Sequence, residues 1–403
     1  LAFGAVAAWQ VEARARAADR LVSHSGPLSQ DAAEIYRSLA DADTTAAGGF
    51  LLAGDEPASV RERYDKDLAT AAELLSRAAA RTSASSAGQQ WIAAINRQLP
   101  QYAGLVDRAR TYNRQGYPLG GAYLRYASTL MQDTILPDAQ RLVDAETRRL
   151  DADYDQAEAF PWAAAALAAA GLAALAWYQL VLFRRTNRVF NIGLAGATVA
   201  LLGSALWLVV GATGAASSLA DSRTHGAEPL RSLYQARIDA AKAHTAENLN
   251  LVARGSSTVY ATRWDAEQLD LTGKPDGPAG SLTQAQEDAS GIAAERLAEA
   301  RAQLVQWQER HKNAADLDEG GNYDGALRAT ITAVDGPTAD AAFTAMDRAF
   351  DEAAAAEKRA FADAARDVDG DLRMLALGVG VLAVPAAVAV VWGIGRRLAD
   401  YRF

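Results

Sequence analysis

Long apolar runs divide the chain into segments typical of membranes and segments typical of water. They cover residues 160–183, 189–216 and 372–394, and none carries a charged residue near its centre. As a helix, the first run is about 36 Å long, enough for a bilayer core of about 30 Å. Buried helices of soluble proteins rarely exceed about 18 residues without a charge. The pattern therefore predicts three transmembrane helices.

The chain opens with a shorter apolar stretch, residues 1–9, that turns polar at Gln10. We interpret it as the end of a first transmembrane helix, with a signal-peptide remnant as the alternative. Arginine is concentrated in the short loop 184–188 and in the tail 395–403. The positive-inside rule places both in the cytoplasm, together with both termini. The long segments 10–159 and 217–371 are then extracytoplasmic.

Both long segments have the 4-3 apolar spacing of helices packed at shallow angles. The seams comprise Leu28, Ala32, Ile35, Leu39, Ala42, Ala46, Gly49 and Ala53; Ile95, Leu99, Tyr102, Val106 and Ala109; and Ala293, Leu297, Ala300, Leu304, Trp307 and His311. Breakers at 54–57, 82–88 and 113–121 divide the first segment into four helices. We expect the fourth helix to continue unbroken into residue 160. The predicted fold is an all-α membrane protein with four transmembrane helices and two extracytoplasmic antiparallel four-helix bundles.

The two segments repeat one another. Pro27-Leu28 recurs 202 residues later as Pro229-Leu230, and Pro137 recurs 200 residues later as Pro337. Tyr117 after "RQG" corresponds to Tyr323 after "GGN". These offsets predict an internal duplication of one unit, made of a membrane helix, an external bundle and a second membrane helix.

That unit resembles the sensor half of bacterial chemoreceptors and related histidine kinases. The resemblance rests on "LADADTTAAGGFLLAGDEPASVRERY" in the first helix, on the "GGNYDGA" turn and on the later proline. The tandem arrangement ending in "GIGRRLADYRF", with "ENLNLVARGSS" and "DLDEGGNYDGAL", is similar to the GlnX-type membrane proteins of actinobacteria. The resemblance implies a protein that links an extracytoplasmic amino-acid-binding lipoprotein to a cytosolic serine/threonine protein kinase, in response to glutamate or aspartate.

Exposed arginines and aromatic side chains are the candidate contacts for such partners. On the cytoplasmic side they are Arg184, Arg185, Arg188, Arg396, Arg397 and Tyr401. On the extracytoplasmic side they are Tyr112, Tyr117, Tyr123, Tyr260, Trp264 and Tyr323. The loop arginines also suit anionic lipid head groups, and the tyrosines of the first segment equally suit the end of a core. A homodimer is a further expectation.

The sequence offers no catalytic motif, so we expect neither enzyme activity nor a cofactor. Cysteine is absent, which excludes disulfides and thiolate sites, and the net charge of −9 argues against nucleic acid as a partner. The histidines do not have metal-ligand spacing, and no metal site is expected. The carboxylates of Asp41–Asp43 and 316–319 are expected on solvated helix surfaces. Arg61, Arg63 and Arg108 could face an acidic ligand.

Three functions remain open at this point. The first is a non-catalytic transmembrane signal transducer, in which the outer bundles shift the membrane helices. The second is a direct sensor, with a small molecule bound between bundle helices. The third is a structural or assembly subunit of a larger membrane complex.

Overall fold

The chain is helical throughout the part that the computed structural model describes. That part comprises residues 2–52, 56–82, 87–186, 192–254, 258–274, 276–331 and 337–360. Within it, the only extended pairing is an isolated bridge between Gly273 and Ala279. The predicted fourth membrane helix, at 372–394, lies outside the described residues.

The helices follow the predicted divisions of the sequence. Those before residue 187 are α1 (Ala2–Arg20), α2 (Gly26–Leu51), α3 (Ala58–Arg81), α4 (Ala87–Arg114), α5 (Leu119–Leu130), α6 (Leu136–Glu158) and α7 (Trp162–Thr186). The later ones are α8 (Ile192–Ser222), α9 (Glu228–Ala253), α10 (Val259–Thr272), α11 (Ser281–Asp288), α12 (Gly291–Glu319), α13 (Tyr323–Thr330) and α14 (339–360). Single π-helical turns join α1 to α2, α5 to α6 and α8 to α9, at Leu21–Ser25, Met131–Ile135 and Arg223–Ala227.

The chain forms two compact units, each assembled from separate stretches of sequence. The first, here the apolar unit, comprises 1–23, 151–223 and 362–403, of which 362–403 is outside the described residues. The second, here the bundle unit, comprises 24–150 and 224–361. Most of each long polar segment therefore belongs to one unit, whereas the sequence pattern predicted a separate bundle for each.

The apolar unit contains helices of membrane type. Among the described residues, two helices are long and apolar enough to cross a membrane, one within Leu119–Val181 and one within Leu194–Ala253. Large apolar side chains stand exposed along both, among them Trp177 on α7 and Leu206 on α8, about 70% and 66% exposed. Such exposure suits contact with lipid rather than water.

The expected continuous helix across residue 160 is wrong, because α6 ends at Glu158 and α7 begins at Trp162. Pro161 has no N–H, so the carbonyl of Ala157 loses its helical donor. Arg14 of α1 replaces it: its Nε donates to the Ala157 carbonyl at 3.0 Å, and its Nη2 donates to the Glu158 carbonyl at 3.2 Å. The Arg14 side chain thus stabilises the interruption between α6 and α7.

In the bundle unit, the predicted apolar seams form the cores. All described residues of the first two seams are buried, while Ala53 lies outside the described residues. In the third seam only His311 is partly exposed. This confirms the helical periodicity and the packing surfaces inferred from it.

Helix α2 is buried on two sides, which the seam alone does not explain. Its apolar seam faces α3, α4 and α5, and its second side packs against α9 of the other polar segment. Thr44 and Thr245 meet there, with 2.7 Å between their Oγ1 atoms. Gly48 lies beside Asn248: a Cβ atom at position 48 would lie 3.6 Å from the Nδ2 atom of Asn248. Residue numbers increase in the same direction in both helices, from Thr44 to Gly48 in α2 and from Thr245 to Asn248 in α9. The two helices are therefore parallel.

Candidate functional site

The aromatic residues predicted to contact an outer partner fall into different environments. The ring of Tyr112 stacks on Tyr123, with centroids 5.4 Å apart, and meets the edge of Tyr117 at 6.3 Å. Tyr117 is exposed, whereas Tyr123 packs partly buried against the first core. The end of α4 therefore carries a connected tyrosine cluster with one exposed member.

The predicted contact residues of the second segment are less exposed to an outer partner. Tyr260 and Tyr323 pack, partly buried, against the same core as Tyr123, and the guanidinium of Arg254 lies over the Tyr323 ring at 4.6 Å. Trp264 is only 6% exposed. Its ring stacks on His311 at 3.6 Å, so in this structure Trp264 is a core residue rather than a surface contact.

The predicted cytoplasmic contacts are described only in part. Arg184 stands exposed in the last turn of α7, and the backbone of Arg185 follows it in the same helix. The other four, Arg188, Arg396, Arg397 and Tyr401, lie outside the described residues.

A group of charged residues joins the two polar segments; we call Arg37, Asp41, Arg63, Arg237, Asp347 and Asp351 the charged layer. Asp41, Arg237 and Asp347 are buried, Arg37 is partly buried, and Arg63 and Asp351 are exposed. Arg237 of α9, with its side chain 4% exposed, donates from Nε to Asp347 at 3.0 Å and from Nη1 to Asp351 at 2.6 Å.

The charged layer also reaches the helices of the first segment. Arg63 of α3 contacts Asp347 of α14 at 3.4 Å. On α2, Arg37 donates to Asp41 at 2.7 Å and pairs with Glu34. Asp347 therefore lies between guanidinium groups of both segments. The expectation that Asp41 and Asp43 are solvated is wrong, because α9 and the neighbouring helices cover that side of α2. Asp316 and Glu319 are exposed, as expected.

A cavity of about 290 Å³ lies between the two segments beside the charged layer; we call it the interface cavity. It is lined by Asp41, Thr44, Thr45, Gly48 and Gly49 of α2; Leu52 just after α2; Ser59, Val60 and Arg63 of α3; His244 of α9; Ile331 just after α13; and Asp340, Phe343 and Thr344 of α14. Asp41, Thr44, His244 and Phe343 are buried and form its inner wall. Ser59 and Arg63 are exposed at its mouth.

His244 is the most unusual residue of this wall. Its side chain is 4% exposed and stacks on the Phe343 ring at 3.9 Å. Neither ring nitrogen makes a hydrogen bond within the described residues, and the nearest acceptor, Asp340, lies 3.4 Å from Nε2 in poor geometry. Burial lowers the pKa of His244, so its ring is neutral at pH 7, with one donor and one acceptor nitrogen.

Two other buried carboxylates, Glu247 and Asp43, have hydrogen-bond partners. Glu247, one turn further along α9, accepts from Trp307 Nε1 at 2.8 Å and lies 2.8 Å from His311 Nδ1. Asp43 accepts from Tyr102, Ser128 and Gln132 at 2.7–3.2 Å. Unlike these two carboxylates, the ring nitrogens of His244 make no hydrogen bond in the described part of the chain.

Burial shifts the titration of carboxyl groups around the cavity. It raises the pKa of Asp41 to about 7, with Asp347 adding to the shift and Arg37 and Arg237 opposing it. It also raises the pKa of Asp67 to about 6. Both values lie well above the ordinary value near 4. At these two carboxyl groups the folded protein therefore binds more protons than the unfolded chain between about pH 4 and pH 7.

We expect the bundle unit to become less stable as the pH rises from 6.5 to 8.0. A raised carboxyl pKa contributes stability that is lost as the pH rises through it, here by about 1 kcal/mol. Burial lowers the pKa of His244, so this residue acts in the opposite direction near pH 6.5 and offsets part of the loss. Thermal melting of the full-length protein in detergent measures the change. Asp41→Asn should remove most of it, and a melting temperature that rises over this window would contradict the assignment.

Comparison with known proteins gives one match. Residues 17–155 match the sequence family described as the actinobacterial sensor domain. The matched region includes α2 to α5 and nearly all of α6. No curated protein and no solved structure matches the chain. The match supports an actinobacterial sensor family, and with the two apolar helices it supports a sensor protein of the membrane.

Of the residues around the cavity, sequence reasoning identified only Arg63 as a possible ligand contact. It missed His244 and misplaced Asp41. A signal for the second packing surface of α2 exists in hindsight: Ala33, Ala40, Thr44 and Ala47 are small and share one side of the helix. Small side chains permit close approach of another helix.

Proposed function

We propose that this chain is a non-catalytic transmembrane signal transducer of the GlnX type. The bundle unit would receive the external signal, and the membrane helices would carry it inward. The observation that carries the proposal is the packing of α2 against α9, which makes one unit of both polar segments. The sensor-family match to residues 17–155 is consistent with that role.

The proposal includes an internal duplication, with four transmembrane helices and both termini in the cytoplasm. Helices α2 and α9 have the same length of 26 residues and each has proline in its first turn. Each follows a π-helical turn, at Leu21–Ser25 and Arg223–Ala227. In this view the contact between Thr44 and Thr245 joins equivalent positions, as a homodimer of single units would.

Helical continuity provides the route for the signal. Helical hydrogen bonding is unbroken along the chain from Ala2 to Leu51 and from Ile192 to Ala253. A helix moves as a rigid element, so a small shift of α2 against α9 would move the apolar helices continuous with them. The π-helical turns are places where such a helix can adjust its register.

The partners in this proposal are an amino-acid-binding lipoprotein outside and a serine/threonine protein kinase inside. The tyrosine cluster of Tyr112, Tyr117 and Tyr123 would contact the lipoprotein. Arg184, Arg185, Arg188 and the arginines of the tail would contact the kinase and anionic lipid.

Affinity purification of the full-length tagged protein from its native host tests the proposal. We expect a solute-binding lipoprotein and a protein kinase in the eluate, with recovery that depends on external glutamate or aspartate. Tyr117→Ala should reduce recovery of the lipoprotein only. The matched control is Tyr126→Ala, since Tyr126 is also exposed but lies outside the cluster. Recovery of neither partner would contradict the transducer.

The interface cavity favours a second candidate, a sensor that binds a small molecule directly. In that case the ligand alone would raise the melting temperature of the purified protein. The two candidates are compatible, because a ligand between α2, α9 and α14 would act on the same helix pair.

A further inference from the structure

We propose that the interface cavity binds a small primary ammonium compound, whose ammonium group faces the carboxylates of Asp41 and Asp340. The inference deepens the sensor role proposed above by naming a ligand class. The shared chemistry is the ammonium group, which a free amino acid or a simple diamine could supply.

The charge around the cavity favours a cation. Five carboxyl groups line it or lie behind it, and three guanidinium groups accompany them: Asp41, Asp67, Asp340, Asp347 and Asp351 with Arg37, Arg63 and Arg237. Asp67 Oδ2 is buried and makes no hydrogen bond in the described part of the chain. A ligand that brings positive charge would therefore be stabilised here.

The unpaired groups in and beside the wall suit a polar occupant. Both nitrogens of His244 lack a hydrogen-bond partner, as do both amide atoms of the fully buried Asn248, whose Nδ2 lies beside Gly48 of the cavity wall. Buried polar atoms in folded proteins are almost always paired. An ammonium group has three donors, enough for the acceptor nitrogen of His244 and two carboxylates. The aromatic faces of His244 and Phe343 add a surface that suits a cation.

The size and the mouth of the cavity define the class further. A volume of about 290 Å³ holds about ten water-sized groups. Among the described residues no three His, Asp or Glu side chains are arranged to hold a metal ion, so an organic cation fits better. Arg63, with its side chain 45% exposed, could bind a carboxylate at the mouth. An amino acid would use Arg63, whereas a diamine would not.

A binding screen on the full-length protein in lipid nanodiscs tests the ligand class. The probes are the twenty amino acids and linear diamines, each used in thermal melting at pH 8.0, followed by calorimetric titration. L-Lactate, which replaces the ammonium group of L-alanine by a hydroxyl, and the hydroxy-acid analogue of any amino acid that binds are the matched controls. We expect at least one ammonium compound to bind and its hydroxyl analogue to fail. Binding of no probe, or equal binding of the analogue, would overturn the proposal.

Substitutions of residues that line the interface cavity test whether the ligand binds there. Asp41→Asn and Asp340→Asn should each weaken binding about tenfold or more, because each removes a charge-assisted hydrogen bond. Asp316→Asn, at an exposed carboxylate of α12, should leave binding unchanged. Arg63→Met should weaken an amino acid but not a diamine, which identifies the source of the ammonium group. Unchanged affinity in both aspartate variants would overturn the site.

The affinity should also fall from pH 8.0 to pH 6.5, as Asp41 takes up a proton. The charged groups that face Asp41 are Arg37 on α2, Asp67 on α3, Arg237 on α9 and Asp347 on α14. Asp41→Asn should abolish most of this dependence, and an affinity independent of pH in the native protein would contradict it. If no ligand binds but the lipoprotein and the kinase are still recovered, the ligand site proposed here is wrong, while the proposed transducer function is unaffected.

Discussion

Replacing Arg237 with methionine should lower the free energy of unfolding of the bundle unit by about 3–5 kcal/mol. The side chain is 4% exposed and makes ion pairs with Asp347 and Asp351. Methionine fills similar space but leaves Asp347, itself 10% exposed, without its main partner. An unpaired buried charge is strongly destabilising. Urea unfolding of the full-length protein in detergent, followed by circular dichroism and tryptophan fluorescence, measures the loss.

Two further variants show whether charge or packing is responsible. Arg237→Lys keeps the positive charge but loses the fork that binds two carboxylates, so its loss should be smaller. Adding Asp347→Leu to Arg237→Met removes both partners and should restore much of the stability. A loss below about 1 kcal/mol in Arg237→Met alone, against the 3–5 kcal/mol expected, would mean that the charged layer does not hold the helices together.

Replacing Trp307 with alanine should lower the free energy of unfolding by about 3–5 kcal/mol. Trp307 is fully buried and is among the largest side chains of the second core. Its ring contacts Trp264 at 4.8 Å and Phe343 at 5.2 Å between centroids. Alanine leaves a cavity there and also removes the donor to Glu247, a residue 3% exposed. The same urea experiment measures the change.

The controls for Trp307 lie in the same helix. Trp307→Phe keeps an aromatic ring but loses the N–H donor and part of the ring volume, so its cost should be smaller, about 1–3 kcal/mol. Val305→Ala, at a position 56% exposed, should change stability by less than about 0.5 kcal/mol. Equal effects of Trp307→Ala and Val305→Ala would show that Trp307 is not a core residue of α12.

The helices of the bundle unit could be predicted because their apolar spacing is regular. Leu28, Ile35 and Leu39 lie on the predicted seam and are fully buried. Helix α3 begins just after the predicted breaker at 54–57, and α4 begins near the end of the one at 82–88. Periodicity reports one buried side of a helix well. It does not reveal a second partner when the second side is made of small and polar residues.

Helix α2 illustrates this limit. Asp41, Asp43 and Thr44 resemble a solvated surface in the sequence, yet all are buried. Thr44 meets Thr245, about 200 residues further along the chain. Asp43 accepts from Tyr102, Ser128 and Gln132, which lie 59–89 residues away. Only the fold brings Arg237 of α9 and Asp347 of α14 near Asp41. Whether a charged residue of this chain is buried depends on partners far away in the sequence. The local spacing of apolar and polar residues does not reveal those partners.

The candidate site was predictable to a similar extent. Arg63 was a candidate because it is a cation on a helix of the first segment, but its partner Asp347 belongs to the second segment. The role of His244 arises from the absence of a hydrogen-bond partner, a property of three-dimensional packing. The interruption at Pro161 shows the same dependence, because Arg14 and Gln10 of a distant helix stabilise the ends of α6 and α7.

The most direct measurement of the central claim, that α2 and α9 pack together in one unit, is a disulfide between them. The chain has no cysteine, so Thr44→Cys with Thr245→Cys supplies the only two thiols. A protease site inserted between residues 186 and 192 separates them in the sequence. The protein is oxidised mildly in membranes, solubilised, cut and run on a non-reducing gel.

The two fragments of the Thr44→Cys, Thr245→Cys protein should stay joined until a reductant is added, because the hydroxyl oxygens of Thr44 and Thr245 are 2.7 Å apart. The control pair, Thr111→Cys with Thr245→Cys, combines an exposed position on α4 with the buried one and should separate without reductant. Separation of the fragments in both proteins would contradict the packing of α2 against α9, and with it the single sensing unit.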